Sequence, residues 1–346
     1  MKLLSGVSDF FGLDFGTTAI RLVQLHGTGK LKTLVKYAYV PVDSKLTQSD
    51  SKADQQRVSS IVRDLLAQAK VSTSNVAVNL PSTSVFTTVV DMDRLSKDEL
   101  GKSIRYQADS LIPTPVAESK IDWAIIGDSP VDKNKLEVLL SSAPNKFIEE
   151  RLDILEATGL NVIAFEPDNM ALARALIAVD STAPQMVIDI GHRNTDMVIS
   201  MNGAPRLSRV LPTGIEALVR AAVQNLNIDD KQAEQFVFKF GLDQSKLEGQ
   251  VYRAIISTIE LLTAEIDKSI KFFSSRYNNA KIDRIIVTGG ASALPEFPLY
   301  LANKFGLNVE IGNAWRNVSF APDRQNELLA VSNQFSVATG LAERQA

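Results

Sequence analysis

Two stretches of the sequence repeat one pattern of residues that can bind an anion and a metal ion together. In each stretch an apolar strand ends in an aspartate, which is followed by one apolar residue, a glycine, a short polar turn and a second alternating strand. The two stretches read FFGLDFGTTAIRLVQL at 10–25 and MVIDIGHRNTDMVISM at 186–201. Their glycines, Gly16 and Gly191, let backbone N–H groups approach an anion because glycine carries no Cβ.

The aspartates of the two stretches suggest that the anion is accompanied by a metal ion. Asp14 and Asp189 lie where a phosphate would lie, and two like charges there need a cation between them. Mg²⁺ prefers oxygen ligands and keeps several waters, so two carboxylates that face a triphosphate suit it. The hydroxyls of Thr17 and Thr18 supply further donors. A single Asp-x-Gly is more often a hairpin turn, but its repetition between strands favours a phosphate site.

Composition narrows the classes of function. The 346 residues suffice for about two domains, and 45% hydrophobic with 22% charged residues are typical of globular proteins. A net charge of -3 gives no support for nucleic-acid binding. The absence of cysteine excludes disulfides and thiolate chemistry, and two histidines are too few for a histidine metal site. No apolar run approaches the roughly 20 residues of a membrane span, so we expect a cytoplasmic chain that reaches membranes only through partners.

The pattern of the first 81 residues is that of an α/β domain. Residues 10–40 predict three antiparallel strands with a turn at Gly27 to Gly29, and residues 58–69 carry the apolar spacing of an amphipathic helix. Residues 76–80 then predict a short buried strand. The sequence therefore predicts a sheet covered by a helix.

Residues 82–160 interrupt that plan. Ser96 and Glu99 predict a capping box at the start of one helix, and a second helix is expected from Asn145 to a stop at Gly159. Strand-like segments precede and separate these helices. We therefore expect a small α+β insert.

The second half returns to α/β patterning. A strand at 161–165 leads into a helix at Pro167, and the second aspartate hairpin turns at Asn202-Gly203, a dipeptide suited to a type I′ turn. Helical patterning then dominates, and the segment RIIVTGGASALPEF places a buried strand directly before a glycine pair.

These motifs together resemble a known superfamily. GLDFGTT, VIDIGHRNTD and IIVTGGASALPEF are similar, in this order, to the first phosphate, second phosphate and adenosine motifs of the actin-like ATPases. Phe165 to Pro167 with ALARAL resembles the first connector between the two lobes, and Ala338 to Leu341 with Glu343 and Arg344 resembles the second. The resemblance implies an α/β, two-lobed actin-like ATPase fold made of duplicated ribonuclease H-like domains.

The position of the insert narrows the resemblance to one family. The division protein FtsA and the pilus protein PilM carry a small α+β lobe here, and FtsA normally ends in an amphipathic membrane helix, whereas this chain ends GLAERQA. YQADSLIP, EIDKSIKFF and FSVATGLAER resemble the PilM family. The implied first lobe spans 8–81 and 161–182, with the C-terminal helix 325–346 packed back on it. The implied insert spans 82–160. The implied second lobe spans 183–228 and 279–324, and the helical subdomain spans 229–278.

The resemblance also assigns roles to individual residues. It implies that ATP is the ligand, with Mg²⁺ held through water by the two aspartates. The residues implied to contact the nucleotide are Gly16, Thr17, Thr18, Gly191, Thr195, Glu265, Lys268, Gly289 and Gly290. Glu265 and Lys268 could equally form an exposed ion pair on one helix. Glu166 falls where relatives orient the attacking water, although a structural role at a helix start is an equal alternative.

Three functions are compatible with this sequence. The first is an ATP-binding scaffold of a type IV pilus, or of a related secretion or competence machine, at the cytoplasmic face of the inner membrane. Its partner would be the N-terminal peptide of a PilN-like membrane protein, bound between the first lobe and the insert; pilus motor ATPases and further copies of the chain are additional candidate partners. The second is an FtsA-like filament former. The third is a small-molecule kinase with Asp91, Asp93 or Asp122 as its base. We expect ATP hydrolysis to be slow or stimulated by a partner.

Overall fold

A computed structural model describes residues 9–27 and 29–345. Residue 8, where the predicted first lobe starts, Thr28 of the predicted turn and residue 346 lie outside the described residues. Within them, the strands are β1 (Phe11–Phe15), β2 (Ala19–His26), β3 (Lys32–Pro41), β4 (Asn75–Leu80), β5 (Phe86–Asp93), β6 (Ser119–Asp128), β7 (Lys135–Pro144), β8 (Asn161–Pro167), β9 (Gln185–Ile190), β10 (Thr195–Met201), β11 (Ala204–Leu211), β12 (Arg284–Thr288), β13 (Asn308–Ile311) and β14 (Val318–Ser319). The α-helices are α1 (Ser44–Thr47), α2 (Lys52–Ala69), α3 (Lys97–Leu111), α4 (Asn145–Glu156), α5 (Asp168–Leu176), α6 (Ile215–Leu226), α7 (Asp230–Phe240), α8 (Gln250–Arg276), α9 (Phe297–Phe305), α10 (Gln325–Val331) and α11 (Ser336–Ala342).

Two sheets of the molecule share one topology. The first has the order β14-β3-β2-β1-β4-β8 and the second has the order β11-β10-β9-β12-β13. In both, three antiparallel strands are followed by two parallel ones, so β3-β2-β1-β4-β8 matches β11-β10-β9-β12-β13 strand for strand. The duplication predicted from the two hairpins is confirmed across both sheets.

Helices α5 and α11 fill the space between the two sheets. The apolar cluster around them includes Ala77 of the first sheet and Val187 and Ile286 of the second. The helices touch closely because Gly340 has no side chain, since a Cβ there would lie 1.9 Å from the Ala171 carbonyl oxygen. These two helices are the predicted connectors between the lobes. They cross at Ala171 and Gly340, two small residues that let the helix backbones lie close together.

The insert forms a sheet of its own. Its three antiparallel strands have the order β5-β7-β6, which leaves one edge of β6 unpaired within the described residues. Helix α3 covers one face of this sheet, and its predicted capping box between Ser96 and Glu99 is present. Helix α4 packs Ile148 and Leu155 into the core of the first lobe, and Ala143 at the end of β7 belongs to the same apolar cluster.

The C-terminal segment also differs from the prediction of one helix over 325–346. It is divided into α10 and α11 by a short 3₁₀ turn at Ser332–Gln334. The break lets Asn333 reach the loop after β12, where its carbonyl oxygen accepts hydrogen bonds from the Gly289 N–H at 3.1 Å and the Thr288 hydroxyl at 3.0 Å. Leu341 of α11 is fully buried. None of the helices in the described ranges has the length and apolar content of a membrane span.

Candidate functional site

Asp14 and Asp189 occupy equivalent positions in the two sheets, near the ends of β1 and β9. Each lies opposite the residue seven positions later on the neighbouring strand. For Asp14 that residue is Arg21, whose Nη1 lies 3.5 Å from Asp14 Oδ2. For Asp189 it is Asp196, a second carboxylate. The first hairpin is therefore charge-balanced, whereas the second concentrates negative charge.

A fourth carboxylate joins the cleft from the first lobe. Asp168 is the first residue of α5, and its Oδ1 accepts a hydrogen bond of 2.9 Å from the Asn79 side chain. Asn79 is almost fully buried, and its Oδ1 accepts a 2.7 Å bond from the Phe15 N–H next to Asp14. Asn79 thus fixes both the end of β1 and the orientation of Asp168.

Burial raises the pKa values of the acidic side chains of the cleft, and neighbouring carboxylates add to the increase for Asp189 and Asp168. Burial raises the pKa of Asp14, although Arg21 opposes the change. Burial, then Asp196 and Asp14, raise the pKa of Asp189 to about 7, and burial raises the pKa of Asp196 to about 6. The pKa of Asp168 is raised well above its usual value by burial and then by the other three carboxylates. A bound cation would relieve this repulsion.

The donor set fits Mg²⁺ held largely through its own waters. Among the described His, Cys, Asp and Glu side chains, no three converge closely enough to ligate one ion directly. Carboxylates that approach a water-bearing ion suit Mg²⁺, which gives up its waters reluctantly. One oxygen of Asp196, Oδ1, is buried without a hydrogen-bond partner. The site therefore has both the charge and an unsatisfied acceptor that such an ion would use.

The glycine predicted to lie beneath the nucleotide sits directly against this cluster. Gly289 has φ +79°, and a Cβ there would come within 2.1 Å of Asp189 Oδ1 and 2.6 Å of the Ile190 carbonyl oxygen. Only glycine fits such a position. The neighbouring Gly290 packs on Ile215, since its Cβ would lie 2.6 Å from Ile215 Cδ1. The adenosine-type loop and the second aspartate hairpin are thus in contact.

The two hairpin loops place their glycines and threonines differently. A Cβ on Gly16 would lie 2.9 Å from Arg21 Nη1, so the backbone of the first loop passes close to a cation. The Thr17 carbonyl accepts a 3.0 Å bond from the Thr47 hydroxyl, and the Thr18 side chain is exposed.

In the second hairpin, the Gly191 N–H donates to the Asn194 carbonyl at 2.9 Å and closes the turn. Thr195 is fully buried and its hydroxyl donates to the Thr213 carbonyl at 2.6 Å. Its hydroxyl therefore links the start of β10 to the segment that follows β11, and a phosphate contact by Thr195 stays a prediction.

Glu265 and Lys268 form the ion pair that was the alternative to a nucleotide contact. Lys268 Nζ donates to Glu265 Oε1 at 2.5 Å, and Glu265 also accepts from Arg209 of β11 at 3.2 Å. A different part of the helical subdomain contacts the loop after Gly290. Next to the end of α7, the Leu242 N–H donates a hydrogen bond of 2.9 Å to the Pro295 carbonyl oxygen of that loop. The helical subdomain meets the adenosine-type loop through that segment.

Glu166 lies in a buried ion-pair cluster. Arg174 binds both of its carboxylate oxygens, one of them at 2.9 Å, and Arg344 lies 3.3 Å from Oε2. Burial alone would raise the pKa of Glu166, but Arg174 and then Arg344 bring it below the usual value. Glu166 is 4% exposed. Its geometry matches the structural alternative, and the carboxylate near Asp14 and Asp189 on this connector is Asp168.

Sequence reasoning missed Arg21, Asn79, Asp168 and Asp196. Two of them had a visible signal, because Arg21 and Asp196 each follow their aspartate by seven residues in the aligned hairpins. Asn79 lies near the end of β4 and Asp168 directly follows β8; these two strands run parallel on one side of β1, and polar residues at such ends meet at one edge of a sheet. Asp91, a candidate kinase base, pairs with Arg276 at 3.0 Å.

A separate groove of about 220 Å³ lies between the insert and the first lobe. Leu139 and Ala124 line it from the insert sheet, and Phe165 and Met170 line it from the first lobe, with Glu166 and Arg344 among its charged residues. The exposed β6 runs along it. The groove is apolar over most of its lining, with charged groups at a few points.

A sequence profile of one family covers nearly the whole chain. The profile for the type IV pilus assembly protein PilM matches residues 12–346. The chain belongs to the PilM family. As a PilM-family member, it is a type IV pilus assembly protein with the actin-like ATPase fold, which confirms the family and the fold implied by the sequence.

Solved structures similar to this PilM-family chain agree on the fold. A PilM-PilN type IV pilus biogenesis complex has a TM-score of 0.82 at 24% identity, covering 97% of this chain and 98% of that chain. The ethanolamine utilization protein EutJ from Carboxydothermus hydrogenoformans has a TM-score of 0.58 at 16% identity, covering 99% and 91%. MreB5 of Spiroplasma citri bound to AMPPNP has a TM-score of 0.53 at 12% identity, covering 96% and 95%.

Proposed function

We propose that this chain is an ATP-binding scaffold of a type IV pilus machine that binds the N-terminal cytoplasmic peptide of a PilN-like membrane protein. The observation that supports this most is the groove between the insert and the first lobe, beside an unpaired strand edge. The solved structure with a TM-score of 0.82 is a PilM-PilN complex. A partner anchored in the inner membrane would bring the chain to its cytoplasmic face.

The chemistry of the groove suits an extended apolar peptide. Strand β6 has no neighbouring strand on one edge within the described residues, and an extended peptide can add a strand along such an edge. Ala124 of β6 lines the groove, and so do Ile121 and Trp123, which also pack against the apolar cluster beneath α3. A peptide bound there would therefore place alternate apolar side chains against Leu139, Phe165 and Met170.

The cleft supports Mg·ATP binding by charge and shape. Asp14 and Asp189, with Asp196 and Asp168 beside them, would hold Mg²⁺ through its waters, and the backbone at Gly16 and Gly289 would approach the nucleotide. The ion would neutralise phosphate charge. Arg21, whose Nη1 would lie 2.9 Å from a Cβ on Gly16, places a cation beside the first phosphate loop. With Glu166 held by two arginines, we propose that hydrolysis is slow or needs a partner.

Calorimetry with a peptide from the N-terminus of a PilN-like protein tests the groove. The variant Ala124→Arg puts a charged side chain into the groove, and we expect it to weaken peptide binding at least tenfold, since a buried unpaired charge is costly. Ile125→Arg on the same strand is the matched control, because Ile125 is 47% exposed and does not line the groove. Equal peptide affinity of the unmodified chain, Ala124→Arg and Ile125→Arg would contradict the proposal.

Sedimentation with Mg·ATP separates the scaffold from a filament former. A species that stays in the supernatant and captures the peptide supports the scaffold. Polymer that pellets without any partner would instead favour the FtsA-like alternative.

A further inference from the structure

The insert is fastened to the second lobe by a buried carboxylate. Glu137 of β7 is 1% exposed and accepts hydrogen bonds from three donors outside the insert. These are Arg206 Nη1 at 2.5 Å, Arg276 Nη2 at 2.9 Å and the Tyr277 hydroxyl at 2.7 Å. Arg206 belongs to β11, and the other two donors lie at the end of α8. One carboxylate thus joins the insert sheet to both parts of the second lobe.

Two further contacts fix the geometry of this junction. Arg206 Nη2 donates to the Ile126 carbonyl of β6 at 2.7 Å, and Arg276 Nη2 binds both oxygens of Asp91 on β5 at 3.0 Å. The guanidinium of Arg206 lies against Gly127, where a Cβ would come within 3.2 Å of it. All three strands of the insert sheet therefore contact arginines of the second lobe, through planar groups that bind in fixed directions.

The insert sheet meets the first lobe partly across an open groove. There the groove of about 220 Å³ separates part of its surface from the lobe. The two lobes themselves are joined through α5 and α11, the pair of helices at the crossing of Ala171 and Gly340. A rotation of the second lobe at this crossing would carry the insert with it, because buried ion pairs with good geometry are costly to break. The width of the groove would then change.

We propose that the Glu137 junction makes the insert move with the second lobe, so that closure of the nucleotide cleft changes the peptide groove. This inference rests on the proposed function, since it couples the two sites assigned there. Coupling between two binding sites is reciprocal, and an effect of about tenfold is ordinary for such proteins. The peptide therefore changes the affinity for Mg·ATP by the same factor that Mg·ATP changes the affinity for the peptide.

Spin labels measure the predicted motion directly, because the sequence has no native cysteine. Three exposed positions suit the labels: Lys102 in the insert, Lys304 in the second lobe and Arg63 in the first lobe. Each measured variant carries cysteine at two of these positions, either 102 and 304 or 102 and 63. We expect saturating Mg·ATP to leave the 102–304 distance unchanged and to shift the 102–63 distance. A shift of the 102–304 distance with a constant 102–63 distance would overturn the proposal.

The variant Arg206→Lys tests the junction itself. Lysine keeps a positive charge beside Glu137 but cannot bind the carboxylate and the Ile126 carbonyl as one planar fork. We expect it to broaden the 102–304 distance distribution without any ligand, and to reduce the effect of Mg·ATP on peptide affinity from about tenfold to less than about twofold. Arg284→Lys is the control, because Arg284 pairs with Asp283 and Glu310 within the second lobe.

The outcomes separate this inference from the proposed function. If calorimetry shows no binding of Mg·ATP or of the peptide, the proposed function fails. If both bind and Arg206→Lys leaves the distance distribution and the coupling as in the unmodified chain, the proposed function stands and the junction is refuted. An unbroadened distribution in ligand-free Arg206→Lys refutes the junction even where no ligand binds.

Discussion

The substitution Asp189→Asn tests the charge arrangement of the cleft without any ligand. Burial, followed by the carboxylates of Asp196 and Asp14, raises the pKa of Asp189 from 3.8 to about 7. A higher pKa in the folded state means that the native protein binds this proton more tightly than the unfolded chain does. The stability that this proton contributes is complete below about pH 3.8, and it is lost as the pH rises through about 7.

The size of the effect follows from that difference. A gap of about 3 pH units corresponds to about 4 kcal/mol at 1.36 kcal/mol per unit. Asp189 keeps some contact with solvent, which screens its charge, so we expect about half of that figure. Asparagine has nearly the same shape and no charge. Without metal or nucleotide, Asp189→Asn is expected to raise the free energy of unfolding by about 2 kcal/mol at pH 8 and by about 0.5 kcal/mol at pH 4.

Urea denaturation in EDTA, followed by circular dichroism at both pH values, measures this difference. The control is Asp180→Asn, because Asp180 is exposed in the segment before the second lobe, and we expect it to change the stability little at either pH. In a separate series without EDTA, Mg·ATP at pH 8 is expected to stabilise the unmodified chain and to stabilise Asp189→Asn much less. A variant that is no more stable than the unmodified chain at pH 8, or that gains equally at both pH values, would refute this account of the cleft.

Three further substitutions address the elements around the cleft. Gly289→Ala is expected to cost about 2 kcal/mol more than Gly203→Ala in chemical denaturation, because both have positive φ but only Gly289 has no room for a Cβ; equal costs would show that Asp189 moves aside freely. Leu341→Ala, at a fully buried site between the lobes, is expected to cost about 3 kcal/mol, and a loss below about 1 kcal/mol would mean that the connector repacks. Glu166→Gln leaves Arg174 and Arg344 without their carboxylate, so we expect a loss of about 3 kcal/mol at pH 7. That loss shrinks as the pH falls through the lowered pKa of Glu166, and a loss independent of pH would contradict the ion-pair role.

Much of the fold was predictable because its elements have local signals. The alternating strands around each Asp-x-Gly, the Asn202-Gly203 turn and the capping box of α3 all follow from short-range patterns. The core that α4 joins was not predictable, because an amphipathic helix shows which of its faces is apolar but not which core that face meets. The break at Ser332–Gln334 depends on hydrogen bonds that the Asn333 carbonyl oxygen accepts from Thr288 and Gly289, more than 40 residues earlier.

The candidate site also contains residues that local patterns predict and residues that only the folded chain brings together. Asp14 and Asp189 were predicted from the repeated hairpin pattern, and Gly289 was predicted from the resemblance of its loop to an adenosine motif. Asn79 and Asp168 were missed because nothing in their own segments marks them, and they meet only when parallel strands bring their ends together. Glu166 was assigned a possible catalytic role from resemblance, whereas its two arginine partners come from α5 and from the end of the chain.

The sequence by itself determined that this protein has two related hairpins, a second lobe like the first, and an insert in only one of them, because these features are written in short, repeated patterns. Only the tertiary structure decided that Arg21 balances the charge of Asp14 while Asp196 adds to that of Asp189, and that Glu137 ties the insert to the second lobe. Charges act through space, and residues 69 and 139 positions apart along the chain become partners only after the sheets have packed.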